Sequence, residues 1–224
     1  MAIRIFRAGK GFLRPWVLLA VALSAACAAP QFNYAADSSA HAYFKVPHAW
    51  HKIDDASLWA ALNSGNSSSQ NGKNGLWTVG YDADPRPSAA HVLNGDTSQP
   101  FVFAVVRPLS SSESSAMSYD GLRDFFLPVT STGRQNASQS GYPLTRFQLL
   151  NDSVLAPGQG VHGVRDTFDY TFPDGSTDTF DQIALMNADA TEVYLLLIHC
   201  QSDCYSRHQS EINTVMTSFT VRSQ

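Results

Sequence analysis

Near the end of the chain, in "IHCQSDCYSRH" at residues 198–208, two cysteines and two histidines fall within eleven positions. These residue types hold zinc, and Cys200, Cys204 and His208, one helical turn further on, have workable separations. The pattern stops one ligand short. His199 adjoins Cys200 at the end of an apolar run, and successive strand residues face opposite ways. His162, His91 or a distant carboxylate would have to complete the tetrahedron. The competing chemistry is a disulfide. Residues four apart in one helix keep their Cβ atoms about 5–6 Å apart, beyond the roughly 3.8 Å that a bridge prefers. A bond therefore needs Cys200 at a strand end and Cys204 at a helix start, which is where the hydrophobic pattern places them. A disulfide between Cys200 and Cys204 is the expectation, with no metal and no other cofactor.

Five aspartates form the second candidate: Asp166, Asp169, Asp174, Asp178 and Asp181. Paired carboxylates cleave glycosides or bind calcium. Here they alternate along two strands joined by "PDGS", a turn dictated by Pro173 and Gly175, so a solvated hairpin face is expected. "GQGVHG" has glycines but lacks the strand and helix of a dinucleotide site, and His162 within it reads as a surface residue. The sequence contains no G-x-S-x-G elbow and no H-E-x-x-H, and no catalytic residue is assigned. Trp50, Trp59 and Trp77 fall at inward positions and are expected in the core.

The N-terminus bears on the compartment. "MAIRIFRAGKGFLRPW" carries Arg4, Arg7, Lys10 and Arg14 without an acid, and "WVLLAVALSAA" follows as an apolar run of eleven. That is the pattern of a secretory signal peptide over residues 1–26, and the run is shorter than the roughly 20 residues of a membrane span. The run ends at Cys27 in "LSAAC". Small residues before a cysteine fit a lipoprotein signal, loosened because Leu23 sits four places ahead and Ser24 three. Lipidation of Cys27 at the extracytoplasmic face of the membrane is one reading; ordinary cleavage and secretion is the other. Loss of residues 1–26 leaves eleven basic against nineteen acidic residues, a net charge near −8 instead of −4. An acidic surface disfavours nucleic acid and anionic lipid, so attachment to the membrane must come from acyl chains.

Residues 27–41, with "APQFNYAADSSAH", read as a lipidated N-terminus and polar tether, and residues 42–224 as one domain. The pattern predicts strands at "AYFKVP", "LWTVGYDA", "PFVFAVV" and "TRFQLL". It also predicts a long hairpin from "GVRDTFDYTF" and "TDTFDQIALM", and a strand at "EVYLLLIH". The unbroken apolar runs belong in the centre of a sheet. Helices are expected at "IDDASLWAALNSG", capped by Asp54 or Asp55, at "SYDGLRDFFLP", capped by Ser118 with Tyr119, Leu122, Phe125 and Phe126 inward, and from about Cys204 to Thr217. Loops are expected at 63–75, 84–100, 110–117 and 128–143. The class is α+β, an antiparallel sheet of six or seven strands flanked by helices.

Two stretches carry a resemblance. "FKVPHAW" is similar to the F-x-x-P-x-G-W opening of the PsbP-like fold, with Ala49 where that family favours Gly. "EINTVMTSFTV" resembles that fold's closing helix, Ser-Phe and strand. With the signal at Cys27, the chain resembles actinobacterial LpqN/LpqT-type lipoproteins over residues 42–222. The resemblance implies a membrane-associated binding or assembly role, toward an envelope protein or glycolipid, and no shared catalytic residues. An exported hydrolase and a surface antigen without a dedicated ligand are the alternatives.

Overall fold

The computed structural model describes residues 30–62, 77–92 and 98–222. Cys27, the lead before it, and the helix end and loop expected at 63–75 lie outside the described residues. The chain opens with β1 (Phe32–Asp37), β2 (Ala42–Pro47), β3 (His51–Lys52) and α1 (Asp55–Leu62). β4 (Trp77–Asp82), a 3-10 turn at Ala89–Val92 and β5 (Phe101–Pro108) follow. Three short helices come next: α2 (Ser111–Ala116), α3 (Tyr119–Arg123) and α4 (Ser131–Gln139). Four long strands then run back and forth, β6 (Thr145–Gly158), β7 (Val161–Thr171), β8 (Thr177–Met186) and β9 (Glu192–Gln201), before α5 (Ser202–Thr217) and β10 (Thr220–Val221).

The main sheet has seven antiparallel strands in the order β3-β4-β5-β9-β8-β7-β6, and a small sheet has the order β1-β2-β10. The apolar strands β5 and β9 lie at its centre, paired from Phe101 opposite His199 to Pro108 opposite Glu192. Alternate residues feed two separate cores. Tyr194, Leu196 and Ile198 pack with Val102, Ala104, Ile183 and Leu185 beneath Phe44, Val46 and Trp50 of the small-sheet side and Ile212, Val215 and Met216 of α5. Val193, Leu195 and Leu197 pack on the other face with Phe101, Phe103, Phe168 and Phe180 beneath Leu58, Leu122, Leu127 and Val129. The result is three layers, α+β in class.

Several expectations change. Residues 32–37, placed in a polar tether, are a strand that pairs along its whole length with β2 and buries Ala35. The polar residues after it make a turn, because the Asp37 carboxylate accepts the N–H groups of Ser39 and Ala40 at 2.9 and 2.8 Å. "SSSESS" is not a loop but α2, closed by a reciprocal capping box between Ser110 and Glu113. Those hydrogen bonds from Ser110, with Arg107 beside them, pull the Glu113 carboxyl down to about 2. The loop assigned to 128–143 contains α4, capped by Thr130.

α3 is capped by Ser118 as its sequence implies, but it ends at Arg123, so Phe125 and Phe126 pack from an irregular segment and Tyr119 is exposed. Trp50 is buried, whereas Trp59 and Trp77 are only partly so. Asp54 caps α1 through Ser57 N–H at 2.9 Å. Ala49 keeps a negative φ, so the turn closed by Trp50 N–H to Pro47 O does not require glycine.

Gly163 of β7 does require it. A Cβ there would lie 2.0 Å from the Ala184 carbonyl oxygen of β8. Gly163→Ala should destabilise the domain by about 3 kcal/mol in denaturant melts, through a forced shift of one strand. Trp50→Ala should cost about 3–5 kcal/mol by opening a cavity in the first core. A chain that begins at residue 38 should melt several degrees below one that begins at residue 28; equal melting temperatures would return β1 to the role of a tether.

Candidate functional site

The described cysteines are consumed at the corner between β9 and α5. Cys200 and Cys204 form a disulfide with Cα atoms 5.9 Å apart. Both are buried on the α5 face, while His199 turns to the opposite face. His208 lies on the exposed flank of α5 with Nδ1 3.0 Å from Glu211. His162 Nδ1 lies 2.8 Å from Gly160 O, and its ring meets Tyr119 edge-on. Among the described residues, no three His, Cys, Asp or Glu side chains come together as a metal cage.

The aspartates do not lie on a solvated face. Asp166, Asp178 and Asp181 are fully buried, Asp169 is partly buried, and only Asp174 sits in the exposed turn. The alternation of the hairpin and the two helices are legible in the sequence; that α3 and α5 come to cover its two faces is not. On the α5 side, Arg165 grips Asp181 with Nε and Nη2 at 2.9 and 2.7 Å. Tyr205 of α5 donates to the same carboxylate at 2.8 Å, and Arg165 also donates to Asn213 at 3.1 Å. This network fastens α5 to the sheet.

On the other side, pairing aligns Asp152, Asp166 and Gln182 in one row across β6, β7 and β8. Arg123 of α3 covers the row. It donates to Asp152 at 3.1–3.2 Å and to Asp120 at 3.0 Å, with Asp166 3.9 Å away. Gln182 donates to the carbonyls of Leu122 and Arg123 and so holds the end of α3. Neither oxygen of Asp166 meets a hydrogen-bond donor. Burial first, and then the Asp152 carboxylate beside it, push Asp166 up to about 7, against the pull of Arg123.

Two histidine–aspartate pairs lie toward one end of the same face. His199 Nδ1 is 3.1 Å from Asp178, and its ring stacks on Phe180 at 5.0 Å, entirely buried. Asp82, also buried, accepts from the N–H groups of Asp84 and Ser88 at 2.9 Å and lies 2.7 Å from His91 Nδ1. The His91 side chain is 24% exposed, so this second imidazole reaches solvent. An imidazole oriented by a buried carboxylate is the base half of a nucleophilic triad. Among the described residues no hydroxyl or thiol hydrogen-bonds to it. Sequence reading missed both pairs because 9 and 21 residues separate the partners.

No family model and no curated protein matches the chain. Among solved structures it is similar to cyanobacterial PsbP from Synechocystis, at 12% identity over 88% of this chain and 96% of that one, with a TM-score of 0.48. It is also similar to LpqN of Mycobacterium tuberculosis, a protein involved in cell envelope biogenesis, at 16% identity over 81% and 83%, TM-score 0.46. A Pseudomonas aeruginosa protein of unknown function gives 11% over 87% and 100%, TM-score 0.42. The likeness is one of fold.

The Asp166 geometry sets a pH dependence. A carboxyl whose folded pKa lies above its unfolded value near 4 binds more protons folded than unfolded between about pH 4 and 7, so stability falls as pH rises through that window. Asp166→Asn should flatten that slope and raise the melting temperature at pH 8, read by thermal melts across pH. An unchanged slope would show that Asp166 is already ionised in the fold. Reduction of Cys200–Cys204 should cost about 2 kcal/mol, given so short a loop. Unreduced peptides spanning 199–207 should be lighter by two hydrogens in mass spectrometry.

Proposed function

We propose that the protein is a lipid-anchored binding or accessory protein on the extracytoplasmic side of the cell envelope, held through Cys27, whose partner is an envelope protein. The observation that carries the binding part is β6. It is an edge strand of fourteen residues that leaves Leu149, Leu150 and Val154 47%, 47% and 58% exposed. An edge strand with unpaired backbone groups and outward apolar side chains is a template for another chain. Its register breaks between Thr145 and Gln148, and again between Leu149 and Asn151, and such bulges limit indiscriminate pairing.

The placement of the small sheet supports the anchoring part. β1 begins five residues after Cys27, a reach of about 17 Å at full extension. Acyl chains on Cys27 would keep β1 and β2 close to the bilayer, with β6 at the far edge of the other sheet. A glycolipid in place of a protein partner is the nearest variant of this reading. An exported hydrolase is favoured by one observation, the Asp82–His91 pair; it predicts turnover of an ester probe that His91→Ala abolishes in a folded protein.

Two measurements test the proposal. Cys27→Ser should move the protein from the membrane fraction to the medium; retention in the membrane would place the anchor elsewhere. Leu149→Lys with Val154→Lys should abolish cross-linking to envelope proteins while shifting stability by no more than about 0.5 kcal/mol per exposed site. Cross-linking that survives both changes would remove β6 from the interface.

A further inference from the structure

A cleft of about 450 Å³ opens between α4 and the start of β6, with Arg134, Tyr142, Arg146, Phe147 and Tyr170 among its walls. No carboxylate lines it, although the chain carries a net charge of −4. Among the described residues neither of its two arginines forms an ion pair with a carboxylate. The Arg134 guanidinium lies 4.0 Å from the centre of the Phe147 ring and donates one N–H to the Val129 carbonyl. Among the described residues the Arg146 side chain makes neither an ion pair nor a hydrogen bond, while Lys52, Arg107, Arg123, Arg165 and Arg207 each hold a carboxylate. The Tyr142 hydroxyl is likewise unpartnered among the described residues. The acid behind the wall, Asp124, is occupied by the N–H groups of Val129 and Thr130 and by the Thr130 hydroxyl at 2.6–2.7 Å.

The backbone aims Arg146 at this site. It adopts φ +50°, in the left-handed region, at the first register break of β6. An arginine gains nothing from that conformation by itself, and a bulge redirects a side chain out of the sheet's alternation. The remaining walls are flat and aromatic. Tyr170 gives its hydroxyl to the Pro128 carbonyl, so its ring is fixed, and Phe147 and Tyr142 lie against it at 5.2 and 6.3 Å. A guanidinium stacked on one ring, a second arginine and two further rings in one cleft define the guest.

We infer that this cleft binds a small organic anion, a carboxylate or phosphate carried on a flat apolar body. Both guanidinium groups and the Tyr142 hydroxyl face the anion, and the rings cover the body. The site is independent of the strand edge at Leu149 and Val154, so neither reading requires the other.

Titration calorimetry on the full chain tests it with 1-naphthoate, 1-naphthyl phosphate, 1-naphthalenemethanol and inorganic phosphate as probes. At least one naphthyl acid should bind, more tightly than the neutral alcohol or bare phosphate, and the tighter of the two acids identifies the anion. Affinity should fall with added salt. Arg146→Gln and Arg146→Gly should each weaken binding by about tenfold, as expected for loss of a charged hydrogen bond. Arg146→Gly should melt no lower than the parent, because glycine tolerates the left-handed backbone. Arg134→Gln should weaken binding as well. No binding by either acid, equal binding of the alcohol, or parent-like affinity in both Arg146 variants would overturn the inference.

Discussion

Burial of β9 on both faces is the constraint from which the architecture follows. From Val193 to Ile198 no side chain of this strand is more than 2% exposed. Its even-numbered residues need one apolar cover and its odd-numbered residues another, so the sheet can be stable only between two layers. α5 and the small sheet supply one, and α1, α3 and the segment through Val129 supply the other. The disulfide at Cys200–Cys204 lies where the central strand turns into one of those covers.

Two dry faces leave little room for stray polarity, and the buried charges show how it is managed. Arg165 and Asp181 meet in a two-point contact that also catches Tyr205 and Asn213, so the charge that enters the interior fixes the position of α5. Gln182 does the same for the end of α3 through two backbone carbonyls. Asp166 is served less well. It is buried next to Asp152 without a donor, and its proton affinity rises in consequence. A buried carboxyl in that state weakens the fold at neutral pH, since Arg123 at 3.9 Å offsets its desolvation only in part.

The coverage fails at one edge. β6 is exposed along most of its length, and Leu149, Leu150 and Val154 face outward from it. The cleft of Arg134 and Arg146 lies at its beginning, where the sheet's regular register is lost. A doubly covered sheet thus ends in an irregular, exposed margin. Recognition is commonly located where a scaffold holds an irregular surface still.

Much of this architecture is legible in the residues. Unbroken apolar runs marked β5 and β9 as central, "PDGS" marked the turn between β7 and β8, and Ser118 and Asp54 marked helix starts, because each rests on local sterics or on short-range periodicity. The strand-to-helix corner that brings Cys200 and Cys204 together was legible for the same reason. Asp174 lies in the exposed turn as its sequence implies, but the solvated face expected at Asp166, Asp178 and Asp181 is buried. Polar residues alternating along β7 and β8 resemble a wet face, yet α3 and α5, distant in sequence, close over both sides. The pairings Asp82–His91, Arg123–Asp152 and Arg165–Asp181, the strand character of residues 32–37, and the cleft at Arg146 depend on which elements come to lie together. Sequence by itself determined where apolar surface had to be buried; only tertiary packing decided which charges would be buried with it, since periodicity records a side chain's direction and not what covers it.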